Sequence, residues 1–143
     1  LFKKPIPIYG NGKQIRDWIR VEDHVSGILM VLEKGVSGEK YNIGSNCELT
    51  NIQVVSDICK LFDEIRPNPD KSSYLDLITF VEDRPGHDNR YSIDNNKIIS
   101  LKWKPKFSWK SGLKDTVEWY LSNEDFIKES NKENYLGDRL GKL

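Results

Sequence analysis

The stretch Asp83-Arg84-Pro85-Gly86-His87-Asp88-Asn89-Arg90-Tyr91 separates a strand-like apolar run, 77–81, from a helix-like run. Proline presets φ and glycine tolerates positive φ, so Pro85-Gly86 predicts a turn where the strand ends. Arg84 and Arg90 carry planar sets of donors that suit phosphate groups. On these residues alone two interpretations are equally good: a solvent-exposed turn held by salt bridges, or one wall of a phosphate-binding site.

The sequence on both sides of this turn predicts a mixed α/β fold, without the complete series of βαβ units that would build its own parallel sheet. Strands are predicted where apolar residues alternate or cluster, and helices where they recur every three or four residues. The predicted strands are 6–9, 15–21, 40–44 and 77–81, and the predicted helices are 22–34, 51–62, 94–101 and 109–121. Residues 1–127 are expected to form one domain, followed by a polar, frayed tail, 128–143.

The composition argues against several classes of protein. Lys+Arg and Asp+Glu both number 22, so the chain lacks the basic excess of a general nucleic-acid binder. No apolar run approaches the length of a membrane span, about 18 residues. Cys47 and Cys59 lack the spacing of metal ligands, and they fit a reduced, cytoplasmic setting. The chain starts at Leu1 without an initiator Met, and we therefore expect it to be cut from a longer protein.

Two further residues could join the turn in one site. Arg16 lies in a predicted strand, and the alternative to a binding role is that it is an ordinary surface residue. Asn51 follows Thr50 at a predicted helix start, where backbone N–H groups and the helix dipole favour anions, and where a capping role is the alternative. Each signal is weak singly. Together with the arginine-containing turn they would form a cradle for a diphosphate.

Several segments resemble one enzyme family. The segments are 7–24, 38–44 with Thr50-Asn51, the turn 83–91, and the motifs at 103–105 and 112–120. They are similar to the part of dTDP-glucose 4,6-dehydratases that follows the Rossmann portion, and the likeness runs in register to about Phe126. These enzymes are extended short-chain dehydrogenase/reductases. The family converts dTDP-glucose to dTDP-4-keto-6-deoxy-glucose with NAD, for rhamnose and other deoxysugars.

The resemblance also implies what this chain lacks. In the family, the catalytic Tyr and Lys, the elimination residues and the glycine-rich NAD loop all lie in the N-terminal portion. Gly10-x-Gly12 is not a dinucleotide fingerprint, and no Tyr-x-x-x-Lys pair occurs. We therefore expect a C-terminal nucleotide-sugar-binding portion without most of the Rossmann sheet, inactive alone, with NAD held mainly by the other portion. The parent would be a homodimer, and apolar faces such as Ile52/Val55/Cys59 could let the isolated portion self-associate.

The resemblance assigns roles to the residues that match the family pattern. Ile6, Pro7 and Ile8 would line the base, Arg16 would meet the diphosphate and Asn51 would hydrogen-bond the nucleotide. Asp83, Arg84, Pro85, Gly86 and His87 would close on the nucleotide end, and Arg90 also matches. Asn89 departs from the pattern, since a basic residue is common there, and Ile6 stands where Leu is common.

Two alternatives stay open. A related sugar-nucleotide epimerase or decarboxylase shares the strand and helix after the G-x-G turn. Those enzymes usually lack the Arg-Pro-Gly-His-Asp run, so His87 discriminates between them and a dehydratase. A non-catalytic interaction domain, whose polar clusters are only solvated turns, predicts no nucleotide binding.

Overall fold

The computed structural model describes residues 3–130, which form short strands and longer helices. The strands are β1 (Ile6–Tyr9), β2 (Ile15–Asp17), β3 (Glu48–Thr50) and β4 (Ile78–Val81). The helices are α1 (Val21–Lys34), α2 (Asn51–Ile65), α3 (Asn96–Ser100), α4 (Trp109–Ser122) and α5 (Glu124–Ser130), with a 3-10 helix (Tyr74–Leu77) before β4. The mixed α/β class is as predicted. Every helix in the described range is too short or too polar to cross a membrane.

The strands pair into two separate two-stranded sheets within residues 3–130. β1 runs parallel to β4, and β2 runs antiparallel to β3. Because β1 and β4 are parallel, the turns after both strands meet at one edge, where Gly10 N donates to Val81 O at 2.9 Å. Ile15 ties the same region to β2: its N donates to Asn89 O at 2.8 Å, and its O accepts from Tyr91 N at 3.1 Å. The turn 83–91 is therefore fixed between the two sheets.

Local capping signals start the two helices α2 and α4. Thr50 accepts from Gln53 N, and the Gln53 side chain accepts from Thr50 N, so the predicted capping box is present. Ser108 caps α4 by accepting from Ser111 N. On α2 the expectation of an open apolar face is wrong at Cys59, which is 1% exposed.

Helix α1 has two faces of different character. Asp23 and Gly27 lie on its buried face. Asp23 accepts from Lys106 N at 2.9 Å and Phe107 N at 3.1 Å, which anchors the segment between α3 and α4. The opposite face is an apolar stripe whose members are 43% to 77% exposed: Val21, Val25, Ile28, Leu29 and Leu32. The predicted helical periodicity is correct, but this stripe is not the face that packs on the described residues.

Two predicted strands differ from the structure. The strand predicted for 15–21 ends at Asp17, because β3 offers only three residues for pairing and α1 already begins at Val21. Residues 40–44 form no strand: within the described part of the chain, none of their backbone N–H groups has an acceptor, and a strand needs a neighbour. Residues 128–130 are the end of α5, and the remainder of the segment that was predicted as a tail lies outside the described residues.

Candidate functional site

A cleft of about 290 Å³ opens where the two sheets and α2 meet. It is lined by Tyr9, Arg16, Asn51, Arg84 and His87. Tyr9 ends β1, Arg16 lies in β2, Asn51 is the first residue of α2, and the other two belong to the turn after β4. Four of these residues were predicted from the sequence to share a site, and the structure brings those four together.

The two arginines of the cleft lack carboxylate partners. Arg16 donates to the carbonyls of Ile15 at 2.7 Å and Asp88 at 3.1 Å, and its guanidinium stacks 4.2 Å from the centre of the Tyr91 ring. The Arg84 guanidinium makes no hydrogen bond or ion pair within residues 3–130. Each of the other described arginines binds a carboxylate: Arg20, Arg66 and Arg90. The uncompensated guanidinium groups are therefore concentrated in this cleft, where an anion would neutralise them.

The backbone at the start of α2 does not offer an anion site. Asn51 N donates to Gln14 O and Ile52 N to Gly12 O, both at 3.0 Å, and Gln53 N donates to Thr50 Oγ1 at 3.3 Å. The expectation that these N–H groups face an anion is therefore wrong. What remains is the half-buried Asn51 side chain, which makes no hydrogen bond within the described residues.

Asp83 is the hydrogen-bonding centre of the turn. Its Oδ1 lies 2.7 Å from His87 Nδ1 and accepts from Arg84 N at 2.9 Å, while its Oδ2 accepts from Gln14 Nε2 at 3.0 Å. The hydrogen bond with His87 is the main reason that the pKa of Asp83 lies below its ordinary value. Asp83 thus supports the wall of the cleft and does not line it.

The remaining predicted site residues lie beside the cleft. Ile8 is buried, and Ile6 lines a separate apolar hollow of about 250 Å³ against α2, while Pro7 is exposed. Pro85 and Gly86 form the predicted turn, in which Gly86 has a φ of +71°. Arg90 does not line the cleft; its Nε and Nη2 donate to the Glu48 carboxylate at 2.7 and 2.8 Å.

Sequence reasoning missed Tyr9 and Gln14. Tyr9 reaches the cleft because β1 pairs in parallel with β4, a pairing that joins distant parts of the chain. Gln14 is buried, and it contacts Asp83 because the turn after β1 lies against the turn after β4. The only available signal was the position of both residues at the ends of strand-like segments. Within residues 3–130, no group of three His, Cys, Asp or Glu side chains could hold a metal ion.

Comparison with known proteins places the chain among sugar-nucleotide enzymes. Residues 1–116 match the family model described as GDP-mannose 4,6 dehydratase. The chain is 56% identical over 123 residues to a dTDP-glucose 4,6-dehydratase of Haemophilus influenzae. The aligned stretch covers 84% of this chain and 36% of that protein. The first curated relatives it matches are all longer, and the chain spans 34% to 41% of their length.

Solved structures give the same result. The dTDP-glucose 4,6-dehydratase of Bacillus anthracis, in complex with NAD, superimposes with a TM-score of 0.74 at 42% identity, over 88% of this chain and 37% of that one. DesIV, a dTDP-glucose 4,6-dehydratase of Streptomyces venezuelae with NAD and the nucleotide TYD bound, gives a TM-score of 0.73 at 37% identity, over 86% and 36%. The described fold therefore corresponds to about a third of such a structure.

Proposed function

The chain belongs to the GDP-mannose 4,6 dehydratase family, and from this premise we propose that it is the C-terminal, nucleotide-binding part of a dTDP-glucose 4,6-dehydratase. The complete enzyme would convert dTDP-glucose to dTDP-4-keto-6-deoxy-glucose in deoxysugar biosynthesis. The identity of 56% to the Haemophilus influenzae dehydratase supports the choice of this activity within the family.

One observation carries the proposal: the arginines without carboxylate partners, Arg16 and Arg84, line the same cleft as Asn51. Two guanidinium groups match the charge and geometry of a diphosphate, and the amide of Asn51 can hydrogen-bond a neighbouring nucleotide group. An interaction domain with only solvated turns gives no reason for this concentration of unpaired cations.

The volume of the cleft lies at the lower limit for small-ligand pockets. Pockets that bury a whole small ligand measure about 300–1,000 Å³, and this cleft measures about 290 Å³. It can enclose a diphosphate, and the sugar would then extend toward the rest of the longer protein. Of the β1 residues expected to line the base, Pro7 is the exposed one, so base contacts from this strand would come from Pro7 and from backbone groups.

The turn at Gly10–Gly12 does not fit NAD. A Cβ on Gly10 would meet Asp83, and one on Gly12 would meet Ile8 and Ile52, so these glycines make room for neighbouring side chains and not for a pyrophosphate. We propose that the complete enzyme binds NAD through its other portion. No step of the dehydration is assigned to residues of this chain, which would be inactive alone.

The proposal extends to location and assembly. Cys47 and Cys59 are both free thiols, which supports a cytoplasmic enzyme. The resemblance supports a homodimeric parent. The exposed stripe of α1 would be covered in the complete enzyme, and it would let the isolated chain self-associate.

A chimera tests the proposed function. In the chimera this chain replaces the matching 123-residue stretch of the Haemophilus influenzae dehydratase. Calorimetry should show tighter binding of dTDP than of UDP, and NMR should show conversion of dTDP-glucose, with the unmodified dehydratase as the positive control. The 143-residue chain alone should bind dTDP weakly or not at all and turn nothing over. A folded chimera without preference for dTDP would overturn the assignment.

A further inference from the structure

The imidazole of His87 is held in one orientation. Its side chain is 6% exposed although the surrounding turn is open to solvent. The Tyr9 ring packs against it nearly perpendicularly, with ring centres 6.3 Å apart. Nδ1 lies 2.7 Å from Asp83 Oδ1, which leaves Nε2 as the ring nitrogen available to the cleft that His87 lines.

The partner of that ring is a carboxylate surrounded by donors. Arg84 N and Gln14 Nε2 both donate to Asp83. These two donors stabilise the ionised carboxylate, which can only accept hydrogen bonds. Gly10 packs against the same group, since a Cβ on it would come within 2.5 Å of Asp83 Oδ2. The hydrogen shared by His87 and Asp83 must then be on Nδ1.

Gln14 is placed at a cost to make its contact. It is 4% exposed, and its Oε1 is buried without a hydrogen-bond partner. Exchanging the amide oxygen and nitrogen would direct an oxygen at the Asp83 carboxylate, so the assigned orientation is the favourable one. A buried, unsatisfied acceptor destabilises a fold. This buried, unsatisfied oxygen is explained if the hydrogen bond from Gln14 Nε2 is needed to orient the Asp83 carboxylate.

We propose that Gln14 and Asp83 are positioning residues that hold His87 as its Nδ1–H tautomer and present Nε2 to the ligand. The proposal rests on the proposed function only for the identity of that ligand. In the neutral ring Nε2 is an acceptor and cannot donate to a phosphate oxygen, so an anion gains a hydrogen bond from His87 only when the ring is protonated. Nucleotide affinity should therefore fall as the pH rises from the range in which an imidazole is protonated to the range in which it is neutral.

The charged and titratable groups that face His87 come from several elements. Asp83 and Arg84 lie in the same turn, and Arg16 comes from β2. Tyr9 from β1 presents its ring, and Asn51 from α2 is uncharged. A bound phosphate would neutralise the two arginines.

Nitrogen NMR of the labelled 143-residue chain tests the tautomer without any nucleotide. His24 and His87 are the two histidines, and the exposed His24 serves as an internal reference that His24→Gln assigns. At a pH where both rings are neutral, His87 should be Nδ1-protonated and His24 should show the usual mixture. Asp83→Ala, which removes the acceptor, should abolish the preference, and Gln14→Leu should weaken it. A wild-type His87 that is mainly Nε2-protonated would overturn the proposal without recourse to any variant.

The functional consequence is tested in the chimera. The Kd of dTDP should rise about tenfold between about pH 6 and pH 8, the worth of one charge-assisted hydrogen bond. His87→Gln should remove that part of the pH profile, which separates it from titration of the nucleotide's own phosphate. Equal profiles for the two proteins would contradict the proposal even if dTDP binding, and hence the proposed function, were intact.

Discussion

Gly10 lies directly against the carboxylate of Asp83, so that a Cβ added to the glycine would come 2.5 Å from Oδ2. The turn after β1 and the turn after β4 therefore fix each other at the edge where the two parallel strands end. Gly10 also has a φ of +57°, a left-handed conformation that L residues rarely adopt. The glycine is thus required both by its backbone and by its neighbour.

Gly10→Ala should destabilise the chain more than Gly86→Ala. Both glycines have positive φ, so each substitution costs about 1–2 kcal/mol in backbone strain, but a Cβ on Gly86 meets nothing within 4 Å. The additional loss of unfolding free energy in Gly10→Ala then measures the cost of displacing the Asp83 side chain. Urea unfolding of both variants gives the comparison, and equal losses would show that Asp83 moves aside freely.

Arg16→Ala and Arg84→Ala should each weaken dTDP binding to the chimera by about 1.5–3 kcal/mol, the usual worth of a hydrogen bond to a charged group. Arg66→Ala is the matched control, because it removes a guanidinium that binds Glu124 away from the cleft. Calorimetry measures the three affinities. If the cleft variants bound dTDP as tightly as the Arg66 variant, these arginines would not belong to the site.

Asp23→Ala should destabilise the fold without touching the cleft. The substitution leaves the N–H groups of Lys106 and Phe107 without their acceptor, at a cost of about 2–4 kcal/mol. Asp23→Asn keeps one acceptor oxygen and should cost less. Thermal unfolding distinguishes the two, with the exposed Asp125→Ala as a baseline.

Acid should destabilise the chain through carboxylates whose pKa lies below its ordinary value. Hydrogen bonds from His87, Arg90 and Lys97 lower the pKa of Asp83, Glu48 and Glu39 respectively. Because these pKa values are lower in the folded state, their stabilisation is fully present above about pH 5 and is lost as the pH falls through the folded values. The Tm should therefore fall as the pH is lowered from about 5 to about 2.5. Glu48→Gln should make that fall shallower; an unchanged slope would count against the Glu48 contribution.

The apolar stripe of α1 should govern self-association of the isolated chain. Leu29 and Leu32 are 54% and 77% exposed, so Leu29→Glu combined with Leu32→Glu places charges where a second copy would pack. Phe80→Glu is the control, since Phe80 is 61% exposed on β4, away from the stripe. Sedimentation velocity should show association of the wild-type chain and of the Phe80 variant but not of the double variant. A wild-type chain that stays monomeric throughout would refute the expectation.

Features that depend on neighbouring residues could be predicted from the sequence, whereas several that depend on pairing with a distant segment could not. The cap of α2 at Thr50 needs only the next three residues, and it was predicted correctly. Strand β3, 48–50, was missed because its identity depends on β2. The segment 40–44 has the pattern of a strand but no partner in the described part of the chain, so its sequence alone misled the prediction.

The residues of the candidate site fall into the same two groups, those that local sequence reveals and those that depend on distant segments. Arg16, Asn51, Arg84 and His87 carry groups whose chemistry can be read from the sequence, and they do meet. Gln14 is an ordinary polar residue in a turn, and its role depends on burial against Asp83. On α1 the apolar spacing was correct, yet the buried face carries Asp23, because two backbone amides from a distant segment satisfy that carboxylate. No local pattern reveals such a partner.

The first backbone N–H groups of α2 are taken up by the carbonyls of Gln14 and Gly12, so at this helix start only the Asn51 side chain lines the cleft, beside the side chains of Arg16 and Arg84. A site made of backbone groups is inherited with its fold and changes only when the fold is rebuilt. A site made of side chains can diverge one residue at a time. Substitution of Arg16, Asn51 or Arg84 would thus direct the same fold to a different anionic ligand. The start of α2 and both sheets would stay unchanged during that divergence.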